Sequence, residues 1–420
     1  MERKKRIIII VTILLSLIEL FIYFNLLEED IFKFSDKYQK GFDDIINYLT
    51  PAGILYILNY YIFAPLIYHF ICFIWHISGH YGQLFNFFEL QVNKCLNWIT
   101  STTVHWGVFY SSTECQNANT CEALLALKKA SYDNKYENIY ENAKKDVLNN
   151  VTEKGLPSKS LQCETVVCTS MILYLIALEQ CDKAEPDAEI DERFENIAKE
   201  LWDCRSDRGW GVYVEHLSPK FCCVANTFWA LLAISYYNVS KTKEYEKYVR
   251  SIYEYSNDSL FGFFVGDSPR LCTTAMAIIL YFSLREEIQK SIDQVFDVNV
   301  AIGYVFENFV FKDTQCEVEI LRGIDLKCTG PKKAPWTHMT MGFAMRALNL
   351  AYKNKKISLI KMDIYLYKLK LLCKKGLHRI SDCQSYFIPK GMELRENGLF
   401  TFPTAYFVMG LSDLIPENNL

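Results

Sequence analysis

The stretch Gly209-Trp210-Gly211-Val212-Tyr213, followed by Ala225-Asn226-Thr227-Phe228-Trp229-Ala230-Leu231-Leu232-Ala233-Ile234, decides how the chain is read. An aromatic-glycine turn leads into a helix made of small and apolar residues. The phrase returns about every 50 residues after position 105. Before it stand Trp106-Gly107-Val108-Phe109 with Thr120 to Leu127, and Gly155-Leu156-Pro157 with Thr169 to Leu178. After it come Phe261-Gly262-Phe263-Phe264 with Thr273 to Ala277, and two looser copies ending in Thr340 to Leu348 and Thr404 to Met409. A period this long means stacked two-element units, each burying its apolar face on its neighbours.

Between the apolar helices the pattern predicts charged, one-sided helices at 135–148, 190–202, 243–255, 286–309 (as one helix or two pieces) and 357–374. Phe194, Ile197, Ala198 and Leu201 mark the buried stripe of one of them. An element apolar all round must be enclosed, and one apolar on a single face must lie outside it. Six such pairs closed in a ring give an all-α fold, an α/α toroid of about six helical hairpins. Open helical solenoids have shorter repeats and lack the aromatic-glycine turn. No run of alternating residues calls for a sheet, and the acidic stretch 182–191 reads as a solvated loop.

The toroid is expected over 105–420, with 78–104 as its lead-in. Ahead of it, Arg3, Lys4, Lys5 and Arg6 precede an apolar run that reaches Leu27, long enough to span a bilayer with the N-terminus in the cytoplasm. Residues 28–51 form a charged connector. A second apolar run, 52–77, holds no Lys, Arg, Asp or Glu and reads as a second span that returns the chain to the cytoplasm; the alternatives are a segment lying on the membrane or packed under the repeat domain. Fifteen cysteines with no CxxC pair, many of them inside apolar helical phrases, fit that reducing compartment. The formal charge of −4 and the pI near 6.1 argue against nucleic acid as a partner. The one basic cluster, which includes Lys353, Lys355, Lys356, Lys361, Lys368 and Lys370, reads as a solvated helix face.

The phrases Gly-Trp-Gly-x-Tyr and Asn-Thr-x-Trp-Ala-Leu-Leu-Ala resemble the repeats of the terpenoid cyclase and protein prenyltransferase superfamily, over about 105–415. That resemblance implies a barrel whose central cavity holds an isoprenoid chain. The cyclase motif Asp-x-Asp-Asp does not occur, and Asp203-Cys204-Arg205-Ser206-Asp207 has the wrong spacing for it. Asp43-Asp44-Ile45-Ile46-Asn47 approaches the metal motif Asp-Asp-x-x-Asp, but outside the repeats. For protein prenyltransferases the resemblance implies zinc, with Cys272 and His338 at the family's Cys and His positions. Two residues before Cys272 the family has Asp where this chain has Arg270, whose charge opposes a dication. No cofactor is therefore expected, and zinc at Cys272 and His338 is the single metal candidate.

Polar groups recur just before or at the starts of the apolar helices: Glu114, Glu164, Glu215 with His216, Asp267 with Arg270, Glu319 with Arg322, and Trp336 with His338. In a ring these starts share one rim, where exposed helix N–H groups favour anions. They are the candidate ligand-binding residues. The leading expectation is a membrane-anchored toroid that binds an apolar, isoprenoid or lipid-like molecule. The alternatives are a divergent prenyltransferase- or cyclase-like enzyme, and a non-catalytic scaffold whose rim recruits a protein partner. Whether it is an enzyme stays open.

Overall fold

The turns that open three of the repeats are held by one recurring device. The backbone N–H of Leu156 donates to Thr169 Oγ1 at 3.0 Å, that of Trp210 to Thr227 Oγ1 at 3.0 Å, and that of Phe261 to Thr274 Oγ1 at 3.1 Å. Each threonine sits in the first turns of an apolar helix and ties the preceding chain across its start. The turns close by small bridges, Thr152 with Gly155, Ser206 with Gly209, and Asn257 with Leu260. Gly155 (φ 135°) and Gly209 (φ 118°) hold a backbone conformation that side chains resist.

The computed structural model describes residues 80–101, 116–130, 136–158, 163–181, 192–211, 214, 222–311, 337–380 and 402–414. The expected membrane segments 1–27 and 52–77 and the connector 28–51 lie outside them. Among the described residues no helix is long and apolar enough to cross a membrane. All the described elements belong to the unit Gln83–Leu420, save for the first three residues of the first helix.

The described residues form an all-α protein with thirteen α-helices. In chain order these are α1 (His80–Ser101), α2 (Gln116–Lys129), α3 (Glu137–Leu148), α4 (Val166–Cys181), α5 (Glu192–Asp203), α6 (Val224–Ile234) and α7 (Lys243–Glu254). There follow α8 (Leu271–Ser283), α9 (Glu286–Ile292), α10 (Val298–Phe306), α11 (Thr337–Lys353), α12 (Leu359–Ile380) and α13 (Phe402–Ser412). One two-residue strand pair, β1 (Pro157–Ser158) with β2 (Cys163–Glu164), lies antiparallel just before α4.

The two kinds of helix separate as their composition requires. Every residue of α6 is buried, whereas α5 buries Phe194, Ile197, Ala198, Leu201 and Trp202 and exposes its charges. The apolar helices pack on one another in sequence: α2 on α4, α4 on α6, α6 on α8, α8 on α11 and α11 on α13. The last, α13, packs back on α2. Among the amphipathic helices α3 packs on α2, α5 on both α4 and α6, and α10 on both α8 and α11.

Tyrosines peg the two sets together. Tyr245 and Tyr253 of α7 donate to the carbonyls of Leu231 in α6 (2.9 Å) and Ala277 in α8 (2.7 Å), and Tyr237 donates to Leu173 in α4 (2.7 Å). These rings are fully buried, so the phenol hydrogen bond avoids a desolvation penalty.

Candidate polar site within the apolar helices

Two of the apolar helices carry an ionisable side chain in mid-phrase, Glu122 in α2 and Arg346 in α11, and both are buried. Removing an ionised group from water costs several kcal/mol, on the order of what a buried pair must recover. The two residues meet that cost differently.

Glu122 meets it by staying neutral. Burial pushes its carboxyl up to about 8, and the Tyr406 hydroxyl beside it, from α13, pulls weakly the other way. Neither Glu122 Oε2 nor Tyr406 Oη completes a hydrogen bond of good geometry, although both atoms are buried. Burial raises the Tyr406 phenol too, and Glu122 and Cys272 raise it further, which brings Cys272 of α8 into the same neighbourhood. Cys272 is half-buried, Tyr406 fully so.

Arg346 stays charged and gathers partners. Its guanidinium donates to the Tyr174 hydroxyl of α4 and lies 5.5 Å from that ring's centroid. Arg346 Nε approaches Asp413 Oδ2 to 3.2 Å, and Lys129 Nζ approaches Asp413 Oδ1 to 3.8 Å. The Arg346–Asp413 approach is an ion pair by distance but lacks hydrogen-bond alignment, so Arg346 Nε and Asp413 Oδ2 keep unmet bonding capacity. Tyr174, Asp413 and Arg346 join parts of three repeats.

Aromatic rings connect the two polar groups. Tyr174 meets Trp229 of α6 at 6.2 Å, Trp229 meets Phe343 of α11 at 5.9 Å, and Phe343 meets Tyr406 at 5.0 Å between centroids. The Trp229–Phe343 contact reaches from α6 to α11, past the intervening α8, so side chains of apolar helices that are not successive meet directly.

Of the residues expected at the rim, Glu164, Asp267 and Arg270 are among those described. Glu164 accepts a hydrogen bond from Thr152 Oγ1 at 2.8 Å, and Asp267 Oδ2 accepts one from the Phe264 N–H at 3.2 Å. Arg270 precedes α8, and its N–H donates to the Phe261 carbonyl at 2.8 Å. Glu114, Glu215, His216, Glu319, Arg322 and Trp336 lie outside the described residues. His338 falls in the first turn of α11. Among the described residues no group of three His, Cys, Asp or Glu side chains could hold a metal ion. Most of the described cysteines are buried.

Sequence reasoning quoted the phrases containing Glu122 and Arg346 without marking either residue. The available signal was a charge with no charged neighbour at helical spacing inside an apolar helix. In comparisons with known proteins, no family model and no curated protein matches this chain.

Proposed function

We propose that the six apolar helices are the inner wall of an α/α toroid, held to a membrane by the N-terminal segments, and that the ring binds an apolar molecule bearing one neutral hydrogen-bonding group. Support for the ring comes from the unbroken succession of helix contacts ending with α13 on α2, and from repeat phrases similar to those of terpenoid cyclases and protein prenyltransferases. The observation that carries the ligand is the pair Glu122 and Tyr406, two buried groups with unspent hydrogen-bonding capacity. A protonated carboxyl and a phenol each donate and accept, so together they suit a hydroxyl or carbonyl better than an anion. Trp229 and Phe343 supply the flat apolar surface a hydrocarbon body needs.

Native mass spectrometry of the full chain, purified in detergent, with analysis of its organic extract, tests this reading. We expect an apolar compound near one equivalent per chain, lost in the double variant Glu122→Leu, Tyr406→Phe. An extract without such a compound contradicts it. The enzymatic version adds zinc at Cys272 and His338; elemental analysis should then find about one metal ion per chain, lost in Cys272→Ala.

The run of rings from Tyr174 through Trp229 and Phe343 to Tyr406 favours a second reading, a ring filled by its own side chains and serving as a scaffold for a protein partner. Under it the same double variant gains stability, because it removes buried polar atoms that pair with nothing.

A further inference from the structure

The outward face of α12 differs from those of the other amphipathic helices. On α5 the exposed positions include Glu192, Arg193, Lys199, Glu200 and Asp203, and on α7 they include Lys243, Glu244, Lys247 and Glu254. Charges of both signs in contact with water are what an outer helix needs. On α12 the corresponding stripe runs through Lys361, Ile364, Tyr367 and Leu371, with Tyr367 46% and Leu371 37% exposed. Asp363 is the helix's single acid against Lys361, Lys368, Lys370, Lys374, Lys375 and Arg379. Alongside, the Lys370 ammonium lies 5.8 Å from the ring centroid of Phe87 in α1, and α1 exposes Leu90 to 52%. Three of the six exposed large hydrophobic residues identified among the described residues therefore lie on these two helices.

We infer that the outward face of α12, with Leu90 of α1 beside it, rests on the surface of an anionic bilayer. A solvated face has no use for Leu90, Tyr367 and Leu371, whereas an interface between water and lipid accommodates all three. Leucine enters the acyl boundary, tyrosine sits at the headgroups, and lysines stretch their stems over apolar surface to reach anionic phosphates. The chain's own continuity favours a bilayer over other occupants: the uncharged apolar run ends at Ile77 and α1 begins at His80. The inference rests on the membrane attachment proposed above, and is independent of any ligand within the ring.

Its test is photo-crosslinking in the full chain, reconstituted into vesicles of phosphatidylcholine with and without phosphatidylserine. A benzophenone amino acid replaces Tyr367, Leu371 or Leu90 in turn, and Glu200 of α5 as the reference. We expect lipid adducts several-fold above the Glu200 level at all three positions, greater when phosphatidylserine is present and reduced by Lys368→Glu. Yields at the level of Glu200 overturn the inference. Adducts to a second copy of the chain in place of lipid also overturn it, because they make the face a self-association surface. An extract free of apolar ligand leaves this result unchanged, so the two proposals fail separately.

Discussion

Gly209 shows what one residue can fix. A β-carbon there would lie 2.0 Å from Thr227 Oγ1, the atom that receives the Trp210 N–H, and the backbone φ of 118° would strain any side chain. Gly209→Ala should therefore cost on the order of 2–4 kcal/mol in chemical denaturation, and Thr227→Ser, which keeps the hydroxyl, should cost much less. Glu122 supports a different expectation. Its carboxyl titrates near 4.5 when free and is pushed up to about 8 in the fold, so the folded chain holds a proton the unfolded chain has lost. Stability from this residue is complete below about pH 4.5 and falls as the pH climbs to about 8, at roughly 1.4 kcal/mol per unit of pKa difference. Denaturation midpoints at pH 5 and pH 8 should differ for the natural chain and converge for Glu122→Gln. The glycine was legible in the sequence because turn chemistry is local. Glu122 was not, since a charge in an apolar phrase gains meaning only once the neighbouring helix supplies Tyr406.

Helices were the easiest scale to read. Six apolar phrases became α2, α4, α6, α8, α11 and α13, and the segment 286–309, read as one helix or two pieces, is α9 and α10 followed by a π-turn at Glu307–Phe311. Periodicity reports burial, and burial separates the two kinds of helix, so most boundaries came out within a few residues, although α12 runs to Ile380, past the expected end at 374. Contacts that fix helix distance were hidden. A β-carbon on Gly342 would stand 2.5 Å from the Tyr406 carbonyl oxygen, so α11 and α13 approach backbone to backbone there. Asn349 strengthens the approach by donating to the Gly410 carbonyl at 2.8 Å. Gly342→Val should force these helices apart and cost more stability than Gly303→Val in α10, where an added β-carbon meets nothing within 4 Å. The tyrosine pegs predict a smaller loss: Tyr253→Phe removes one hydrogen bond to a carbonyl that its own helix already serves, at about 1 kcal/mol.

At the scale of the whole molecule, the long period pointed to stacked pairs, and the described helices follow it. What composition could not foretell is which side chains of the apolar helices meet one another. The apolar helices were expected to surround a hydrocarbon, yet Trp229 and Phe343 already meet across α8, and Arg346 reaches Tyr174. Any ligand must share the interior with these side chains. The central claim is that the helix succession closes, and one contact reports closure directly: Lys129 near the end of α2 lies 3.8 Å from Asp413 just after α13. Lys144 and Glu179, 3.0 Å apart and similarly half-buried, join α3 to the nearby α4 and serve as an internal reference for reagent access. Carbodiimide treatment of the native chain, followed by mass spectrometry of its digest, should yield both the Lys129–Asp413 and the Lys144–Glu179 amide links. Recovery of Lys144–Glu179 without Lys129–Asp413 would mean that the first and last apolar helices stand apart, and that the chain is an open superhelix.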